Sequence, residues 1–200
     1  RYCTTAHLSA EVLDSATMYY SADETSGTAV ADSKGSNDGT LNEPDSIGFE
    51  HAPELDRHCI SKTDSTTAGL FPSSAPVTSA TFSISCWARP APDGGGQFFL
   101  ISGDEPEKTY WLKPDEIGYQ YTKRNTYPNK RASFTGDGGW HLYTWVNHDR
   151  GDGTASLRMY VDGIKLFDDL LSAEEYDARR PSEQVFLCQR PYSQFYYQYI

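Results

Sequence analysis

The sequence is poor in cations. Against 28 Asp and Glu it sets 17 Lys and Arg, a formal net charge of −11 over 200 residues. Nucleic-acid backbones are bound by clustered cations that replace condensed counterions, so a nucleic-acid partner is not expected. Binding to an anionic membrane surface is not expected on the same ground. No run approaches the roughly 20 apolar residues of a membrane helix, and membrane insertion is not expected. There is no Asn-x-Ser/Thr sequon, no CxxC, no HExxH and no GxSxG. The first residue is Arg1, without Met and without a leader, so the sequence reads as a processed chain or a piece of a longer one.

Aromatic residues are plentiful. There are 4 Trp, 14 Tyr and 9 Phe, although only 38% of the residues are hydrophobic. A disordered acidic chain lacks such rings. The core is therefore expected from aromatic and β-branched residues, which favours sheet over helix. The length suits one domain.

Turn clusters punctuate the chain every 8–12 residues. Residues 1–15 show no clear period and read as a lead-in segment. A first strand is expected over Ala16–Ser21, short strands and turns follow to Ser61, and residues 62–79 read as a connection. Further strands are expected over Thr81–Arg89, Gln97–Ser102, Lys108–Lys113, Glu116–Lys123, Trp140–Asn147, Thr154–Val161, Ile164–Phe167, Gln184–Gln189 and Gln194–Ile200. His148–Gly153 and Asp162-Gly163 have hairpin-turn composition. Asp169–Arg180 is the one segment of helical composition. The expected class is all-β, an antiparallel two-sheet jelly-roll sandwich with one short helix.

Several short motifs occur in a telling order: Tyr19-Tyr20-x-x-Asp23-Glu24-x-x-Gly27, Asp32-x-x-Gly35 with Asp38-Gly39-Thr40-Leu41, Thr81-Phe82-Ser83-Ile84-Ser85-Cys86-Trp87, Gly139-Trp140-His141, and Leu157-x-x-Tyr160-Val161-Asp162-Gly163. Together they make residues 16–200 resemble a laminin-G-like domain of the concanavalin A-like lectin/glucanase superfamily, which also holds the pentraxins. The resemblance implies a final strand of the form Gly-x-Ile-Asp-Glu-Val-Arg-Ile-Tyr, which would begin where this sequence stops at Tyr197-Gln198-Tyr199-Ile200. A missing final strand would leave a sheet position open to a strand from elsewhere.

Glycosidases of that superfamily carry Glu-x-Asp-x-x-Glu on one strand, a spacing that sets two acids on one face. The motif is absent here. Asp115-Glu116 are adjacent, and Glu174-Glu175 fall in the expected helix. An enzyme is not expected. The five histidines are scattered, and His141 reads as structural.

Calcium is the expected cofactor if there is one. The loop bearing Asp23, Asp32 and Asp38, with Asn37 beside them, offers hard oxygen ligands, although a solvated turn-rich loop has the same composition. Asp104, followed by Glu105, is where the resemblance to pentraxins implies a calcium pair. The other half of that pentraxin site would fall on Leu187-Cys188-Gln189-Arg190-Pro191-Tyr192, where a cation stands in place of an acid.

For ligand or partner contact, Arg150-Gly151-Asp152 forms an integrin-type tripeptide at an expected hairpin tip, built of ordinary turn residues. Tyr192, Tyr196, Tyr197 and Tyr199 offer rings for stacking on sugars, for a partner, or for the core. Lys123-Arg124 with Lys130-Arg131 is the basic patch. Cys3, Cys59, Cys86 and Cys188 are expected as two disulfides of a secreted protein, with three pairings open. The resemblance implies that Cys59 and Cys188 lie on neighbouring strands, with Cys86 as another partner. The function expected is a non-catalytic extracellular or cell-surface recognition and adhesion module for glycan or protein ligands. The alternative is a self-associating structural subunit of an extracellular assembly joined by strand completion.

Overall fold

The computed structural model describes residues 16–62, 69–74, 81–90, 95–102, 107–122, 129–171, 184–187, 191–192 and 195–199. Within these the chain forms β1 (Ala29–Val30), β2 (Gly39–Leu41), β3 (Ile47–Ala52), β4 (Arg57–Lys62), β5 (Leu70–Pro72), β6 (Phe82–Pro90), β7 (Gly95–Ser102) and β8 (Glu107–Lys113). The later strands are β9 (Glu116–Thr122), β10 (Asn129–Ser133), β11 (His141–Asp149), β12 (Ala155–Val161), β13 (Ile164–Leu171), β14 (Gln184–Leu187), β15 (Pro191–Tyr192) and β16 (Phe195–Tyr199).

They make two antiparallel sheets. One runs β1-β2-β5-β14-β7-β8-β9-β10, with β15 also pairing β7. The other runs β13-β12-β11-β6-β16-β4-β3. Period-two burial shows how the sheets face each other. Along β11 the buried positions are Tyr143, Trp145 and Asn147, while Leu142, Thr144 and Val146 alternate with them on the outer face, half-buried. Tyr110, Leu112, Ile117 and Tyr119 come from the opposite sheet to meet them. Tyr110 and Trp145 pack edge to face with centroids 6.2 Å apart. The core is thus aromatic, as the composition implies.

Two hairpins set the register of the second sheet. Asp162 and Gly163 both take positive φ, 51° and 78°, between Val161 and Ile164. That geometry matches the right-handed twist of the flanking strands, and glycine adopts it at little cost. The second hairpin joins Asp149 and Ala155, with Arg150 N donating to Thr154 O at 3.1 Å.

Several sequence expectations are corrected. No helix occurs among the described residues. The start of the segment with helical composition, Asp169–Leu171, instead continues β13, since Ala155, Ser156 and Leu157 of β12 supply pairing partners as far as Leu171. Cross-strand pairing overrides helix propensity there, and residues 172–180 lie outside the described residues. Ala16–Ser21 contributes only an isolated bridge, Tyr20 to Asp32. The stretch expected as a connection holds β5, paired to β2 and β14. β16, part of the aromatic tail, inserts between β6 and β4.

The cysteine expectations change too. Cys59 is a buried free thiol, and its Sγ donates to Glu50 O at 3.4 Å. The implied neighbouring of Cys59 and Cys188 falls outside the described residues, because Cys188 does. Cys86 is buried in the core. Cys3 and Cys188 lie outside the described residues.

Candidate functional site

The loop that offered oxygen ligands uses them internally. Asp32 is buried, and its Oδ1 accepts from Tyr19 N at 2.9 Å and Lys34 N at 3.1 Å. Its Oδ2 accepts from Asn37 N at 3.2 Å. Burial pushes this carboxyl up, but the backbone N–H groups of Tyr19, Lys34, Gly35 and Asn37 outweigh it and hold the pKa below the ordinary carboxylate value. Asp38 Oδ1 accepts from Asp32 N at 2.9 Å, and Asp23 pairs with Arg57 at 3.2 Å. Asn37 reaches β5's end through Ser73 Oγ and Ser74 N, at 2.9 and 2.7 Å. The three acids therefore tie the loop together instead of converging as ligands. Among the described residues, no three His, Cys, Asp or Glu side chains are grouped to hold a metal ion. Asp104 lies outside the described residues.

The Arg150-Gly151-Asp152 tripeptide does sit at the tip of the β11–β12 hairpin. Asp152 is committed to the turn, with Oδ1 accepting from Thr154 N at 2.9 Å and from Thr154 Oγ1 at 2.5 Å. These bonds hold its pKa below the usual value. Arg150 Nε stands 4.0 Å from Asp152 Oδ2. Of the tail tyrosines, Tyr192 pairs in β15 with Gly95. In β16, Tyr196 is the register partner of Arg89, Tyr197 of Ala88 and Tyr199 of Cys86. His141 is held by two carboxylates, with Nδ1 2.7 Å from Asp162 Oδ2 and Nε2 3.1 Å from Asp137 Oδ1. It braces the Asp162-Gly163 turn, in keeping with a structural role.

The arrangement best suited to a ligand was not read from the sequence. On the outer face of β8, β9 and β10, register sets three rows side by side. Lys113 lies opposite Glu116, and Glu116 opposite Ser133. In the next row Trp111 faces Gly118, which faces Arg131, and in the third stands Gln120, whose backbone register partners are Thr109 in β8 and Asn129 in β10. The rows cover about 10 Å across the strands and about 14 Å along them.

Trp111 dominates this surface. A Cβ built on Gly118 would meet Cζ2, Cε2 and Cη2 of the Trp111 indole at 2.2, 2.3 and 2.9 Å. All three atoms belong to the six-membered ring, so the ring is laid over the Gly118 backbone. Glycine at 118 is what lets it lie there. Lys113 Nζ stands 4.8 Å from the ring centroid and 2.9 Å from Glu116 Oε1. Arg131 Nη1 approaches Glu116 Oε2 at 3.5 Å with its side chain 66% exposed. Glu116 is thus gripped on both oxygens, and the indole is framed by charged and amide groups. An aromatic face with hydrogen-bonding groups around it is the chemistry that receives a ring with an apolar face and a polar rim. The only sequence signal was the pair of β-like runs carrying Trp111 and an isolated mid-strand Gly118. Lys130, of the basic patch, pairs instead with Asp169 at 3.2 Å. Lys123-Arg124 lie outside the described residues.

No family model matches the chain, and no curated protein matches it. Solved structures do match in fold. Domain 4 of an extracellular arabinanase of glycoside hydrolase family 43 from Geobacillus stearothermophilus, solved in complex with arabinotriose, aligns over 92% of this chain and 93% of its own length, with 15% identity and a TM-score of 0.58. The receptor-binding domain of botulinum neurotoxin D aligns over 93% of this chain with 11% identity and a TM-score of 0.61. A further receptor-binding domain aligns over 94% with 12% identity and a TM-score of 0.64. This chain spans about half the length of the last two, 48% and 47%. At these identities the likeness is one of fold, an all-β sandwich.

Proposed function

We propose that this protein is a non-catalytic carbohydrate-recognition module of an extracellular protein, with Trp111 as its stacking platform. The observation that carries the reading is the indole laid over Gly118, bordered by Lys113, Glu116, Gln120 and Arg131 on an outer sheet face. A pyranose or furanose presents C–H groups to such a ring and hydroxyls to its border. The arabinanase domain of similar fold was solved with a bound trisaccharide, which supports sugars as the first ligands to try.

A structural subunit completed by a foreign strand is the weaker reading, because β16 already sits between β6 and β4. A calcium requirement is not part of the proposal, since Asp32 and Asp38 accept backbone N–H groups.

The test is calorimetric titration with arabinotriose and a panel of plant and microbial oligosaccharides, using wild type and Trp111→Ala. The expected result is saturable binding that Trp111→Ala weakens at least about tenfold, equivalent to about 1.4 kcal/mol. Circular dichroism of the variant should match wild type. Equal affinity in the two proteins, or no binding across the panel, overturns the reading.

A further inference from the structure

The β3–β4 hairpin carries two histidines that the sugar-binding reading leaves unused. His51 and His58 are register partners, so their side chains leave the same face of the sheet. Their ring centroids are 5.4 Å apart, with the planes at 72°. Asp56 lies in the turn between the two strands at a φ of 51°, and its Oδ1 stands 3.8 Å from His51 Nε2. The His51 side chain is 50% exposed and that of Asp56 is open to solvent, while His58 is half-buried.

Imidazole nitrogens are good ligands for zinc and copper. Two rings held on one ion at about 2.0–2.1 Å per nitrogen have centres about 5–6 Å apart, which is the separation the hairpin already imposes. The angle between the planes is not yet that of a chelate. One ring must turn about χ2, a broad torsion for histidine, and the exposure of His51 leaves room for it. The backbone needs no change, because cross-strand register has brought the two ligands together. Asp56 adds a negative charge beside the pair, which favours a bound cation.

We propose that His51 and His58 form a two-imidazole clamp for a divalent transition-metal ion, zinc or copper. Water fills the remaining positions, and the Asp56 carboxylate stands beside the ion. Nitrogen donors select such metals over calcium, which takes oxygen ligands. Among the described strands β3 pairs β4 alone, at the end of its sheet. A metal across the two histidines therefore ties an edge strand to its neighbour. The clamp is independent of the Trp111 platform and of sugar binding.

The experiment is calorimetric titration of the full chain with Zn²⁺, together with NMR of its histidine rings under substoichiometric Cu²⁺, whose paramagnetism broadens nearby nuclei. The tightest Zn²⁺ site should weaken at least about tenfold in His51→Ala and in His58→Ala, since either change leaves a single ligand. Zn²⁺ should raise the melting temperature of wild type and not of either variant. Ca²⁺ should show no binding that depends on these histidines. Cu²⁺ should broaden the His51 and His58 rings before those of His141 and His148. Unchanged zinc affinity in both variants, no binding at millimolar Zn²⁺, or histidine signals that all broaden together overturns the proposal. The wild-type broadening decides the question even if a variant fails to fold.

Discussion

Gly118 is held between two tryptophans. From the core side Trp145 Nε1 donates to Gly118 O at 3.0 Å, and on the outer side the indole of Trp111 occupies the volume that a side chain at 118 would take. The first contact fixes the strand's position and the second uses that position as a floor.

A methyl group at 118 is therefore expected to disturb the platform before the fold. Gly118→Ala places a carbon about 2.2 Å from Cζ2. The indole must swing away or the strand must shift, at about 1–3 kcal/mol of overpacking strain. Oligosaccharide affinity should fall as far as in Trp111→Ala, while the β-sheet circular dichroism stays. Thermal unfolding and titration calorimetry on the same variant check both statements. Unchanged affinity would show that the ring's seat on Gly118 does not matter for binding.

Acid should loosen the Asp32 loop. The folded-state pKa of Asp32 lies below its unfolded value, since four backbone N–H groups stabilise the charged form against burial. Its contribution is thus present above the unfolded pKa, about 4, and is lost as pH falls through the lower folded value. Asp32→Asn should be less stable than wild type at neutral pH by about 1–3 kcal/mol. The gap should narrow as pH is lowered below about 4. Urea unfolding at several pH values measures this, and a gap independent of pH would assign the role to shape alone.

The Asn147–Tyr110 pair bridges the two sheets inside the core, at 2.7 Å. Tyr110→Phe removes the oxygen and leaves the Asn147 Nδ2 unpaired, which should cost about 1–3 kcal/mol. Asn147→Leu with Tyr110→Phe removes both partners and should cost less than the two single changes summed. A double-mutant cycle in urea gives the coupling, and strict additivity would mean the bond contributes nothing.

Cys59 should be inert in the native protein. Burial pushes its thiol pKa up to about 12, so the reactive thiolate is scarce at neutral pH. Iodoacetamide should modify Cys59 only after unfolding, and peptide mapping of unreduced protein should recover it as a thiol. Recovery of a cross-linked Cys59 peptide would contradict the structure.

The parts of the fold legible in sequence were those governed by local chemistry. The alternation along Trp140–Asn147 and the Asp162-Gly163 turn carry their own instructions. β10 escaped because Asn129–Ser133 is polar and basic, as edge strands often are, and so resembles a loop. The helical composition of Asp169–Arg180 is real, but it says nothing of the partner strand that claims its first residues. In the Asp23, Asp32 and Asp38 loop spacing alone does not decide, because the same carboxylates that suit a cation also suit backbone N–H groups. The Trp111 row could not be found from spacing, because it exists only once Trp111, Gly118 and Arg131 are brought together across three strands.

The position of β16 has a consequence for how the protein is made. Ile60 and Ala88 are both register partners of Tyr197, so the two halves of one sheet are joined through a segment far downstream of each. During synthesis β3–β4 and β6–β11 emerge first and wait with facing edges unpaired. Such a sheet is completed only after residue 199 has left the ribosome, and folding is governed by closure across long stretches of chain. Holding those edges apart from other nascent chains is work for a chaperone, or for the speed with which the aromatic strand slots in.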